Sequence, residues 1–249
     1  MTVQLPYCGS APLPGELSTR FNLDPVLIGA LILACAWHLW ALNRGGIERR
    51  RQAFALGGWL LAAAALVSPL CALSVALFSA RVAQHMILIL AAAPLIAMGL
   101  PRARTLSWRL WSGVLMFFLA LWYWHMPIPY DTTFSSVAAY WAMHLTLFGS
   151  GVLLWRELLH HSHQLTGPAL AAGTVTFVHM GLLGAVLTLA DRPLFLWHLA
   201  TTDPWGLSPL QDQQLGGALM WVPGIALFLW TALRSLGRLW ESLEPPRPA

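Results

Sequence analysis

The 249 residues are 57% hydrophobic and only 10% charged, with a mean hydropathy of +0.63, far from the roughly 25% charged share of an ordinary soluble domain. The formal net charge of +4 rests on arginine, since no lysine occurs, and the arginines fall in short gaps between apolar runs. There they report topology rather than nucleic-acid binding, so an all-α integral membrane protein of the lipid bilayer is expected, with no nucleic-acid partner.

In chain order, residues 1–24 read as an outer tail. Pro6, Pro12, Pro14 and Glu16 interrupt it and no basic head leads into an apolar core, which argues against a cleavable signal peptide. Apolar runs with few charges follow at about 25–42, 53–70, 82–100, 107–125, 137–155, 169–190 and 213–233, each about long enough to cross a hydrocarbon layer of about 30 Å. The expectation is one domain over residues 1–249, a bundle of about seven transmembrane helices closed by a cytoplasmic tail at 240–249. The stretch "SPLCALSVALFSA" after the second run is either a partial helix or an outer loop.

Of the 14 arginines, eleven sit in alternate connections. These are Arg44, Arg49, Arg50 and Arg51; Arg102, Arg104 and Arg109; Arg156; and Arg234, Arg238 and Arg247. Only Arg20, Arg81 and Arg192 lie on the other side, so the positive-inside rule puts the N-terminus outside and the C-terminus in the cytoplasm. Trp37, Trp40, Trp108, Trp124 and Trp155 stand near run ends, where an interfacial aromatic belt would be. Cys8, Cys35 and Cys71 have no CxxC spacing and an odd count, and are read as small structural residues rather than a disulfide framework.

Histidine and methionine are adjacent four times: His85-Met86, His125-Met126, Met143-His144 and His179-Met180. Placed by the arginine-derived topology, all four pairs fall in the outer half or middle of the bundle. His38, His160, His161 and His163 fall toward the cytoplasm. Neighbours on a helix point about 100° apart, so one pair cannot close on one ion, and a site must be assembled between helices. Imidazole with thioether is the ligand mix that selects copper, with thioether favouring Cu(I). The candidate ligands are His85, His125, His144 and His179 with Met86, Met143, Met180 and Met220. Arg81 and Gln84 share the His85 face, and Thr176, three residues before His179, could orient its imidazole. Gln213, Gly217, Met220 and Gly224 make a small and polar stripe suited to close packing. Asp131 reads as a solvated turn residue, His198 as another outer-loop residue that could capture incoming copper, and "ELLHHSHQ" as a basic membrane-surface loop.

Four stretches, "AQHMILILAAAPLIAMGLP", "WHMPIPYD", "FVHMGLLGAVLTLADRPLF" and "WGLSPLQDQQLGGALMWVPG", resemble the multi-span CtaG family of cytochrome c oxidase assembly factors over residues 68–230. The resemblance implies a multi-pass protein of the bacterial plasma membrane needed to make an active haem-copper oxidase, supplying copper to an oxidase subunit and receiving it from an outer-side copper chaperone. Family members often carry HMxxHM, and here "RVAQHM" leaves Arg81-Val82 where the first pair would be. Asp212, Gln213 and Gln214 are either first-turn groups of the seventh helix or, on the resemblance, an oxidase contact or outer support for a metal. No Ser-His-Asp set, HExxH, GxGxxG or phosphate loop occurs, so no enzyme is expected. The alternatives are a membrane haem protein ligated by paired histidines, a copper-permeation protein and a scaffold with inert histidines.

Overall fold

The computed structural model describes residues 5–100, 107–164 and 166–243, and among them it is all helix, with no strand. Ten α-helices follow in order: α1 (Pro25–Arg44), α2 (Arg49–Val67), α3 (Leu70–Ala76), α4 (Phe78–Met86), α5 (Ala93–Gly99), α6 (Ser107–Trp124), α7 (Pro127–Ser135), α8 (Val137–Gln164), α9 (Thr166–Leu189) and α10 (Pro209–Leu243). Long helical stretches lie over all seven predicted runs. Among the described residues four helices are long and apolar enough to cross a membrane, Pro25–Arg44, Phe78–Gly99, Val137–Leu159 and Gly167–Leu189. A fifth results if α2 and α3, bent by 47° at their break, form one span. The stretch left open between loop and helix is thus α3 and the start of α4.

The span Phe78–Gly99 is not a uniform α-helix. Between α4 and α5 the backbone widens into a π-helical stretch, Ile87–Ala92, and the Ala93 amide reaches back five residues to the Leu88 carbonyl. Pro94 follows and has no N–H, so the Ile89 carbonyl loses the donor that this register would give it. Trp155 of α8 supplies one, its indole N–H donating to the Ile89 carbonyl at 2.8 Å. Trp155 is therefore buried, as is Trp124, whose indole donates to Thr146 Oγ1 at 2.8 Å. Both correct the expected belt, which Trp37, Trp40 and Trp108 still fit by their exposure.

The main apolar core runs between α4, α6, α7, α8, α9 and α10 and contains Val82, Leu121, Leu147 and Leu183 together with Met86, Met143, Met180 and Met220. Helices α9 and α10 approach at backbone distance. A methyl on Gly217 would lie 2.4 Å from Thr188 Oγ1 and 2.7 Å from the Gly184 carbonyl oxygen, so only glycine fits there. The stripe predicted on this helix holds at Gly217 and Met220, while Gly224 lies outside the described side chains.

The N-terminal segment folds back over one end of the bundle. Cys8 and Cys71 form a disulfide, 63 residues apart with 5.6 Å between Cα atoms, and only Cys35 is free. This corrects the reading of small unpaired cysteines: an odd count does not forbid one bridge, and the fold-back brings two distant residues within bridging distance. Tyr7, next to Cys8, packs on the Tyr140 ring at 4.7 Å between centroids and hydrogen-bonds Asp24, the N-cap of α1.

Candidate functional site

Three histidines from three parts of the chain meet near that covered end. His85 comes from α4, His144 from α8, and His125 from the turn that closes α6. The His85 ring stands edge-on to His144 at 5.2 Å and to His125 at 6.2 Å between centroids. All three are buried. Aromatic rings flank the group: Tyr140 lies against His144 at 4.2 Å, Trp141 stands edge-on to His144 at 6.1 Å, and Phe78 stands edge-on to His125 at 6.5 Å.

The hydrogen bonds of these rings decide what they can do. His125 Nδ1 lies 2.7 Å from the Leu121 carbonyl oxygen and His144 Nδ1 lies 3.0 Å from that of Tyr140. A carbonyl only accepts, so each Nδ1 carries the proton and each Nε2 keeps a lone pair. Among the described residues His144 Nε2 has no partner, and neither ring nitrogen of His85 has one. Buried polar atoms normally find partners, so these nitrogens are available to an incoming electrophile or cation. Among the described residues no three His, Cys, Asp or Glu side chains are grouped closely enough to hold one ion together.

His179 is not part of this group. It faces α6, against Phe118 at 5.1 Å and Phe117 at 5.9 Å, and among the described residues neither of its nitrogens has a partner. Thr176 does not orient it, because the Thr176 hydroxyl donates to the Ala172 carbonyl of its own helix at 2.9 Å. Met86, Met143, Met180 and Met220 are all buried in the main core.

Arg81, one turn before His85, is 1% exposed. Its guanidinium packs over Phe134 at 4.0 Å, Tyr130 at 5.2 Å and Tyr140 at 6.0 Å, and donates to Thr133 Oγ1 at 2.6 Å. The aromatic faces substitute in part for a carboxylate partner. Gln84 turns toward α2, its amide donating to the Ala65 carbonyl at 2.8 Å.

The "LQDQQ" residues work as clamps between elements. Asp212 is fully buried and caps α4 rather than its own helix, accepting the Phe78 amide at 2.6 Å and the Ser79 amide at 3.1 Å. Gln213 accepts the Leu194 amide at 2.7 Å, and the Gln214 side-chain amide donates to the Ala190 carbonyl at 3.2 Å, which fixes the turn after α9.

His198 is bonded at both nitrogens, Nε2 to the Tyr130 hydroxyl at 2.8 Å and Nδ1 to the Ala76 carbonyl at 3.2 Å, so no lone pair is left for a metal. Burial, with the Arg81 charge adding to it, lowers its pKa to about 3. Asp131 is not a solvated turn: it lies on α7 with Oδ1 buried, and burial raises its pKa. The side chains of His160, His161 and His163 lie outside the described residues. His38 accepts the Trp59 indole N–H at 3.1 Å on Nδ1, and its Nε2 has no partner among the described residues.

A cavity of about 410 Å³ leads from the covered end to His144, with Tyr7, Asp24, Leu27 and Trp141 in its walls. Sequence reasoning missed Tyr7, Tyr140 and the cysteine pair. Tyr140 carried a signal, its position four residues before His144 on one helix face. A family model described as cytochrome c oxidase caa3 assembly factor matches residues 33–242, most of the chain. No curated protein and no solved structure matches it.

Proposed function

Since the chain belongs to the family of cytochrome c oxidase caa3 assembly factors, we propose that it binds copper as Cu(I) through two imidazoles of the His85, His125 and His144 cluster with a buried methionine thioether, and supplies it to an oxidase subunit. It does so as a non-enzymatic, multi-pass protein of the bacterial plasma membrane. The observation that carries this reading is the set of imidazole lone pairs: among the described residues His144 Nε2 and both nitrogens of His85 have no partner, and His125, held by Nδ1, keeps its lone pair on Nε2. Nδ1 bonding to a backbone carbonyl is the usual way a ligand imidazole is oriented. A buried thioether completes the set best, since two imidazoles with sulfur favour Cu(I) over harder ions.

We read seven spans with the N-terminus outside. The arginine asymmetry supports this, and so does the Cys8–Cys71 disulfide, because such bonds persist on the oxidising side of the membrane. The cavity that reaches His144 then opens toward an outer copper chaperone. A haem reading is disfavoured because His85 and His144 meet at 5.2 Å between ring centroids, with no slot for a macrocycle between them. The permeation reading is disfavoured by the separation of His179, packed on Phe117 and Phe118, from the cluster.

The test is copper stoichiometry of the purified protein under reducing conditions. His85→Ala and His144→Ala should each lose bound copper, while His179→Ala should keep it. Undiminished copper in both cluster variants would end the proposal, and a Soret band in the purified protein would replace it with haem.

A further inference from the structure

We infer that the Cys8–Cys71 pair, once reduced, is a second Cu(I) site, a soft dithiol that receives the ion before the imidazoles do. The inference rests on the copper reading of the histidine cluster for its purpose, but not for its chemistry.

The bridge does more than staple a tail. The Tyr140 hydroxyl lies 3.4 Å from Cys8 Sγ and 3.6 Å from Cys71 Sγ, and the Asn22 side-chain amide lies 3.5 Å from Cys71 Sγ. Hydroxyl and amide donors stabilise sulfur in its thiolate form. The same Tyr140 ring lies on the His144 imidazole at 4.2 Å between centroids, and its carbonyl holds His144 Nδ1 at 3.0 Å. One residue therefore touches both the sulfur pair and the imidazole group.

Accessibility is divided between the two sulfurs in the way exchange chemistry requires. Cys71 is fully buried, whereas Cys8 is only partly covered. An external dithiol reductant attacks Cys8 Sγ with one thiolate, the Cys8–Cys71 bond breaks, and Cys71 leaves as thiolate. The second thiol of the reductant then displaces Cys8, and the reductant departs as its own disulfide. Two electrons and two protons have passed to the cysteine pair. Cu(I) binds by replacing the two thiol protons, which are released to water. Thiolate is the softest ligand in the chain and the best match to Cu(I). In the oxidised state the sulfurs have no such capacity, so reduction gates the site.

The experiment titrates Cu(I) into the purified full-length protein against a chromogenic Cu(I) chelator, with Cys35→Ser as the background to remove the one free thiol. Disulfide-bonded and dithiol-reduced protein are compared after removal of the reductant. Reduction should add one equivalent of tightly held copper. That increment should vanish in Cys8→Ser/Cys71→Ser, and also in reduced protein capped with iodoacetamide, which keeps the wild-type fold history. If reduction adds no copper, or the increment survives in both controls, the inference is overturned. Copper bound by the oxidised protein reports the imidazoles alone. Failure there with the increment intact would sink the histidine reading and leave the dithiol site standing.

Discussion

Asp212 of α10 caps the N-terminus of α4, its carboxylate accepting the Ser79 amide at 3.1 Å while its other oxygen takes the Phe78 amide at 2.6 Å. A carboxylate at a helix N-terminus satisfies orphan donors and complements the helix dipole. Here the two partners are more than 130 residues apart, so the cap also registers α10 against the helix that carries His85. Asp212→Ala leaves two buried amides without acceptors and should cost about 3 kcal/mol. Asp212→Asn keeps one acceptor oxygen and should cost less. Thermal unfolding in detergent measures both, and equal melting temperatures for wild type and Asp212→Ala would reject the cap.

The Trp155 bond to Ile89 gives a prediction with a built-in rescue. Trp155→Phe strands a carbonyl where no water is available, at a cost of about 1–3 kcal/mol. Pro94→Ala returns an N–H to the same helix one turn away. The double variant should therefore recover part of the lost stability, and a strictly additive loss in a double-mutant cycle would refute the substitution of one donor for the other.

How much of this could be read beforehand depends on what kind of information each feature carries. The apolar runs are a matter of composition, so the long helices lie where they were expected. Depth along a helix follows from counting residues, and His85, His125 and His144, which counting places at similar depth, meet in the fold. Rotation about the helix axis is not given by depth, and His179 turned out to face Phe117 and Phe118 instead of the cluster. Trp155 shows the same limit, since a run end looks identical whether its tryptophan points to lipid or to a broken backbone bond. The disulfide was hidden for another reason. It joins residues 63 apart through a fold-back whose driving contacts, Tyr7 on Tyr140 and Tyr7 with Asp24, are single side chains without periodicity.

Close packing of α9 on α10 is tested by adding one methyl. Gly217→Ala would set carbon 2.7 Å from the Gly184 carbonyl oxygen, which is backbone and cannot turn aside. The expected cost is about 1–3 kcal/mol, as for other overpacked sites. Gly149→Ala on α8 is the control, because nothing lies within 4 Å of its added carbon. It should be neutral or gain up to about 1 kcal/mol from helix propensity. Equal effects at the two positions would mean that the helices are free to separate.

Acid should loosen the turn that follows α9, through His198. Its pKa is lowered to about 3 in the folded protein because the ring is buried between Tyr130 and the Ala76 carbonyl, whereas an unfolded histidine titrates near 6.5. The sign follows from proton counting. Between about pH 6.5 and 3 the unfolded chain binds a proton that the folded chain does not, so stability is complete above that window and falls as pH drops through it. Lowering the pH from 7.5 to 4.5 should remove on the order of 2 kcal/mol through this residue. His198→Gln should lower stability at pH 7.5, by loss of a fitted ring, yet lose less on acidification than wild type. The comparison is between two slopes of melting temperature against pH, and parallel slopes would show that His198 does not carry the acid sensitivity.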